Sequence, residues 1–151
     1  SALITGPGLL NVITPPPADP YLAWINATWP SLSDKTPTGD PDNDGIANLM
    51  EYVLQGGDTS VSTTGTLPTL DATGANFVFT YFRRAAATGT TQVFQYSPDL
   101  GVTPWTNLAI PGGAGVVVTA NTPSSGIDQV VITVAKGSNT KLFGRLQVTQ
   151  P

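Results

Sequence analysis

The chain has 151 residues, of which 40% are apolar and only 11% are charged. This length suits a single domain, with at most an appendage. Six basic residues are too few for a stripe of phosphate contacts, and no apolar run reaches the length of a membrane span. We therefore expect no nucleic-acid partner and no membrane-spanning segment. With no histidine and no cysteine, the chain lacks the usual zinc ligands and His-activated nucleophiles, so we expect it not to be an enzyme.

The first 18 residues carry no charged side chain, and we call them the N-terminal arm (residues 1–18). Three consecutive prolines, residues 15–17, favour a stiff, extended exit from this segment. The pattern fits either an edge strand of the chain's own domain or a strand that completes a sheet in a neighbouring subunit. The residues expected to make such an intersubunit contact are Ala2, Leu3, Ile4, Leu9, Leu10, Val12 and Ile13. Because the chain starts at Ser1 without a methionine, we expect a processed product or a fragment.

Residues 19–58 are predicted to form a short helix, an acidic loop and a second helix. Asp19 followed by Pro20 is a helix start signal, and the apolar side chains that follow repeat at helical spacing. This helix is expected to end before Pro30. The second helix is predicted over residues 48–54, with the following glycine pair as its stop.

Residues 59–151 alternate between short apolar segments and turn signals. Such spacing, without helical stretches in between, predicts an antiparallel β-sandwich (Ig-like), so the fold class is mainly β. Both faces of segment 76–84 are apolar, which predicts a central strand, and the basic pair Arg83-Arg84 at its end is expected to meet an aspartate. The predicted strands are residues 76–84, 92–97, 115–120, 128–135 and 141–149, with 67–70 as a further candidate.

Residues 40–51 match a twelve-residue calcium loop position by position. Alternate residues of a tight loop point to one centre, and the glycine at the sixth position permits the sharp bend. The predicted ligands of Ca²⁺ are Asp40, Asp42, Asp44, the carbonyl of Ile46, Asn48 or a water in its place, and Glu51. Four of the ten carboxylates of the chain lie in this stretch, so a divalent ion would relieve their mutual repulsion. The alternative is a solvated acidic turn that caps a helix.

The predicted site departs from a full EF-hand. Residues 37–39 (PTG) stand where an entering helix would run, and the chain contains no second loop of this kind. The site resembles the solitary calcium loops of dockerins and thrombospondin type 3 repeats. Extracellular sites bind calcium at roughly 10⁻⁴–10⁻³ M, which is adequate only where calcium is millimolar. We therefore expect a secreted protein, located outside the cell or on its surface.

A wider resemblance covers most of the chain from residue 21 to the end. Its segments are YLAWINATWPSL, DPDNDGIANLMEYVLQGGD, NFVFTYFRR, FQYSPDLGVTPWTNL and KLFGRLQVT. Together they resemble the C-terminal module of large secreted proteins of Verrucomicrobia and related bacteria. The resemblance implies a secreted, cell-surface or matrix context and no enzymatic role.

These observations predict an extracellular, calcium-stabilised structural protein. Its copies would assemble into a filament, a fibre or a surface layer, with the N-terminal arm as the intersubunit strand. The alternative is a surface adhesion or carbohydrate- or protein-binding module at the C-terminus of a larger secreted protein. The aromatic candidates for a sugar platform in that case are Trp24, Trp29, Tyr96 and Trp105.

Overall fold

The computed structural model describes residues 18–150 and, within the N-terminal arm, the backbone of two short strands. These strands, β1 (Leu3–Ile4) and β2 (Leu10–Asn11), pair with each other in an antiparallel manner. The predicted contacts of Ala2, Leu9, Val12 and Ile13 lie outside the described residues. What the arm contacts beyond its own pairing therefore stays a prediction.

Two short helices precede the sandwich. Helix α1 (Pro20–Thr28) starts as predicted, because the Asp19 carboxylate accepts hydrogen bonds from the first free backbone N–H groups of the helix. Helix α2 (Asn48–Val53) is one residue shorter than predicted. Its last predicted residue, Leu54, instead forms an isolated β-bridge with Arg83. None of the helices in the described part of the chain is long and apolar enough to cross a membrane.

Seven strands follow a single turn of 3₁₀ helix at Thr64–Thr66. They are β3 (Thr69–Asp71), β4 (Asn76–Arg84), β5 (Thr91–Ser97), β6 (Thr106–Ile110), β7 (Val116–Thr119), β8 (Ile127–Ala135) and β9 (Phe143–Thr149). Strand β6 was not predicted from the sequence. Most of its residues face solvent, and it is an edge strand fixed by pairing with β5 rather than by a pattern of its own.

The strands form two antiparallel sheets, one with the order β3-β4-β8-β7 and one with the order β6-β5-β9. This confirms the predicted fold class, a mainly β antiparallel sandwich. In chain order the strands correspond to A, B, C, C′, D, E and F of an immunoglobulin domain, with A-B-E-D in one sheet and C′-C-F in the other. Strand β4 is central, as its two apolar faces predict.

The core lies between the sheets and continues under the two helices. Phe79 of β4 and Phe94 of β5 meet with ring centroids 4.9 Å apart, which joins one sheet to the other. Under the helices, Tyr21 of α1 packs edge-on against Tyr52 of α2 at 5.7 Å. One hydrophobic cluster thus carries both the sandwich and the helical segment, and it positions α2 beside the acidic loop.

Candidate metal centre

The three aspartates of the predicted calcium loop converge. One carboxylate oxygen from each of Asp40, Asp42 and Asp44 lies within 4.8 Å of the other two. The backbone between them folds tightly, and Gly45 takes a φ of 87°, a left-handed conformation that favours glycine. The convergence of these three side chains, which the sequence predicts, is therefore present in the structure.

Backbone N–H groups fix the orientation of these carboxylates. The N–H of Asp44 donates to Asp40 Oδ1 at 3.2 Å, and the N–H of Gly45 donates to Asp40 Oδ2 at 3.0 Å. The N–H of Ile46 donates to Asp44 Oδ1 at 2.8 Å. The loop is thus preformed by its own main chain, and its acidic side chains need no further rearrangement to face one another.

Glu51 reaches the same region from α2. Its side chain is only 1% exposed, and its Oε1 accepts a hydrogen bond from Thr63 Oγ1 at 2.9 Å. The backbone N–H of Thr63 donates to Asp44 Oδ2 at 2.6 Å. Thr63 therefore connects the glutamate to the aspartate cluster. Sequence reasoning missed this residue, because it lies outside the twelve-residue loop and no local pattern marks it.

Two carboxylate oxygens at this site are buried without a hydrogen-bond partner, Asp42 Oδ2 and Glu51 Oε2. Burying such an atom without compensation costs free energy. Among the described residues, the only ion pair joins Arg83 and Asp128, so the aspartate contact predicted for the pair Arg83-Arg84 is made by Arg83 alone. Lys35, the nearest cation in sequence, donates instead to Asn26 Oδ1 and the carbonyl of Pro30. Within residues 18–150, no cation therefore forms an ion pair with the carboxylates of this site.

The electrostatics of the site follow from this arrangement. Burial raises the pKa of Glu51 to about 7, and the negative charges of Asp42 and Asp44 add to the increase, while the hydrogen bond from Thr63 opposes it. Burial, together with the neighbouring Asp40 and Asp44, also raises the pKa of Asp42. A bound cation would reverse both effects, because it favours the charged form of each carboxylate.

The remaining predicted ligands are Asn48 and Ile46. The Asn48 side chain is fully buried, and its Nδ2 donates to the carbonyls of Asp34 and Thr36 at 3.1 and 3.0 Å. It thereby fastens the preceding polar loop to the start of α2, a role that sequence reasoning missed. Asn48 Oδ1 is buried and has no partner among the described residues. The carbonyl of Ile46 stays a prediction.

Arg84, the second residue of the predicted basic pair, contacts backbone carbonyls rather than an aspartate and thereby anchors α2 from the sandwich side. The guanidinium of Arg84 donates to the carbonyl of Tyr52 at 2.6 Å and to that of Glu51 at 3.0 Å. These are helix-end carbonyls that otherwise lack intrahelical partners. The same guanidinium lies 4.4 Å from the centre of the Trp24 ring. The sandwich thus holds the helix that carries the glutamate.

The aromatic candidates for a sugar platform are all half-buried. Trp24 meets Trp29 edge-on at 4.9 Å, and both pack against the core cluster, as does Tyr96. Trp105 lies under the guanidinium of Arg145, 4.3 Å from the ring centre. These contacts occupy ring faces that a sugar would need.

Comparisons of the chain with protein-family models, with curated proteins and with solved structures find no match. The resemblance to secreted Verrucomicrobia modules and to dockerin-type loops therefore stays a prediction that rests on the sequence motifs. What the chain does has to be argued from its own site.

Proposed function

We propose that the protein is a calcium-stabilised structural protein of the extracellular space, and that its copies assemble into a filament, a fibre or a surface layer. The observation that carries the calcium part is the acidic cluster of Asp40, Asp42 and Asp44, beside which two carboxylate oxygens are buried and unpartnered. A solvated acidic turn would leave such oxygens in contact with water. A divalent cation would compensate them directly.

Calcium fits this donor set better than other common metals. Every side-chain donor at the site is a hard oxygen, and the chain contains no histidine or cysteine. Calcium takes six to eight oxygens at about 2.3–2.6 Å. The residues that would hold it are Asp40, Asp42, Asp44, the carbonyl of Ile46, Glu51, and either Asn48 Oδ1 or a water.

The metal would act on structure rather than on chemistry. It would join the acidic loop, helix α2 through Glu51, and the segment that leads into β3 through Thr63. The aspartates outside the loop already have structural contacts, which supports a non-catalytic role. Asp19 caps α1, Asp34, Asp58, Asp71 and Asp99 accept hydrogen bonds within turns, and Asp128 pairs with Arg83.

The uncharged, apolar N-terminal arm supports the assembly part of the proposal, because such a segment gains free energy when a partner covers it. The alternative function, a sugar-binding module, draws less support from the structure, since its four candidate rings pack against the core or under an arginine. A weak extracellular calcium site and an assembling surface protein belong in the same millimolar-calcium environment.

Calcium titration of the full-length chain tests the metal site. After treatment with chelator, we expect a dissociation constant of roughly 10⁻⁴–10⁻³ M by calorimetry. We also expect a rise in melting temperature of about 3–6 °C at tenfold excess over that constant. Asp42→Asn should weaken binding about tenfold or more, because the site loses one charged ligand. The matched control Asp71→Asn changes an exposed turn aspartate and should bind like the unaltered chain. Equal binding by both variants would contradict the site.

Negative-stain electron microscopy of the full-length chain in millimolar calcium tests the assembly. We expect regular filaments or sheets. Dispersed single particles would contradict self-assembly and favour the binding-module alternative, which would then be tested on polysaccharides.

A further inference from the structure

We propose that the outer edge of β9 is an acceptor site for the N-terminal arm of a second copy of this chain, which adds to the sheet as a fourth strand. This inference rests on the proposed function and deepens it, because it names the surface through which copies would join.

The sheet order leaves one side of β9 without a partner in the described range. All seven residues of β9 pair with β5, and no other strand within residues 18–150 lies beyond it. In an immunoglobulin domain with this strand order, strand G occupies that position. A free edge presents a row of unpaired N–H and C=O groups, which is a template for another strand.

An apolar groove opens beside this edge, between β9, helix α2 and the segment before β3. Its volume is about 330 Å³, and it is lined by Met50, Leu54, Leu67, Pro68, Phe79 and Leu146. Leu146 and Val148 project from β9 towards the core and remain half-buried, while Leu67 is 46% exposed. The groove therefore lies where the inward-facing side chains of an added strand would pack.

The N-terminal arm has the chemistry that this groove requires. Its residues 9–14 (LLNVIT) carry no charge, so their insertion would bury no unpaired ion. Six extended residues span about 20 Å, which is close to the length of β9. With Leu10 and Val12 facing the groove, Asn11 lies on the opposite face of the strand together with Leu9 and Ile13. Strand β2 within the arm pairs with β1 on one edge only among the described residues, so its second edge can pair with β9.

The position at which the arm leaves its domain favours pairing with β9 of a second copy over pairing with β9 of the same chain. Gln150 Nε2 donates to Asp19 Oδ1 at 3.0 Å, so the arm leaves its domain beside the C-terminal end of β9. Folded back on its own strand, it would set prolines 15–17, which have no N–H, against the last residues of β9. Directed outward, the same prolines form a rigid spacer of about 9 Å. Residues 9–14 are then carried towards another copy.

The metal site fixes two of the segments that line the groove. Glu51 lies in α2 next to Met50, and Thr63 fixes the segment that runs on to Leu67. Removal of calcium should therefore weaken arm binding, even though no ligand of the metal lines the groove.

Site-specific crosslinking of full-length chains tests the acceptor edge, since the chain has no native cysteine. Copies with Asn11→Cys are mixed with copies that carry Gln147→Cys on β9, and a short bismaleimide is added. We expect a mixed crosslinked dimer, identified by mass spectrometry, at least fivefold above the yield with Val117→Cys, an exposed control on β7. No excess over this control would overturn the inference. So would a chain with both cysteines that crosslinks only within itself.

A second pair of variants separates this inference from the proposed function. Val12→Pro removes a backbone donor from the arm and should abolish assembly while calcium titration stays unchanged, whereas Val12→Ile should assemble normally. Filaments that persist in Val12→Pro would overturn the acceptor edge but leave the structural function standing. Failure of all chains to bind calcium would instead overturn the metal site alone.

Discussion

The β-sandwich and the helical segment that precedes it bury different kinds of side chain. Between the sheets the buried residues are mainly aromatic and branched apolar groups, such as Phe77, Phe94 and Ile132. Around α2 the chain also buries Asn48 and Glu51, each with an oxygen that has no hydrogen-bond partner. The polar side chains buried in the sandwich, such as Gln92 and Ser97, have hydrogen-bond partners, whereas the helical segment keeps polar atoms that need a ligand. The difference predicts that calcium acts on the helical segment directly and on the sandwich only through the shared core.

Truncation of a buried ring in the sandwich should reduce stability most. Phe94→Ala removes a fully buried ring that contacts Phe79, and it should cost about 3–5 kcal/mol of unfolding free energy. Because the aromatic neighbours of this ring, Phe77, Phe79 and Tyr96, all lie in the sandwich, the loss should be equal in calcium and in chelator. Chemical denaturation of the full-length chain measures both. Val117→Ala, at a position 59% exposed, is the control and should change stability by less than about 0.5 kcal/mol. A folded Phe94→Ala chain that no longer responds to calcium would show that the sandwich core and the acidic loop are not independent.

The pH dependence without metal should come from the helical segment. Burial raises the pKa of Glu51 from 4.5 to about 7, so between these values the folded, chelated chain keeps a proton that the unfolded chain has released. Stability in chelator should therefore fall as the pH rises from 5 to 8, by up to about 3 kcal/mol. Calcium should reduce the fall, because it binds the charged carboxylate. Urea denaturation at both pH values measures this, and Glu51→Gln should remove most of the dependence in chelator. If the stability of Glu51→Gln in chelator depends on pH as strongly as that of the unaltered chain, a group other than Glu51 is responsible.

The smallest effect concerns the connection between the two regions. Thr63→Val removes the hydroxyl that donates to Glu51 but keeps the backbone N–H that donates to Asp44. It should cost about 1–2 kcal/mol, because a buried carboxylate oxygen loses its partner. Thr73→Val removes an equivalent hydroxyl from the exposed carboxylate of Asp71 and should cost less than about 0.5 kcal/mol. Equal losses, measured by chemical denaturation, would mean that Thr63 does not couple the regions.

The sequence was most informative where the contacts are local. The convergence of Asp40, Asp42 and Asp44 follows from their alternate spacing in one tight loop, and the start of α1 follows from Asp19 and Pro20. The central strand β4 was found with its bounds, because five of the six residues 77–82 are large apolar or aromatic residues that cover both faces of a strand.

The features missed from the sequence depend on distant partners. Strand β6 exists because it pairs with β5, and its own residues lie mostly in solvent. Thr63 contacts Asp44 across 19 positions, and Arg84 contacts Tyr52 across 32. No spacing rule marks such residues, since the fold alone brings them together. The predicted Asn48 ligand shows the same limit, because its amide nitrogen is committed to a loop that the twelve-residue pattern does not include.

The hydrogen bond between Asp19 and Gln150 has a consequence for the connectivity of the chain. It places the two ends of the described unit, residues 18 and 150, next to each other. Domains with adjacent ends tolerate circular permutation and insertion into loops of other proteins. A few glycines could join residue 150 to residue 18, and the new chain ends could then be placed in a turn such as residues 136–139. The fold can therefore be carried as an insert as readily as at either end of a host chain.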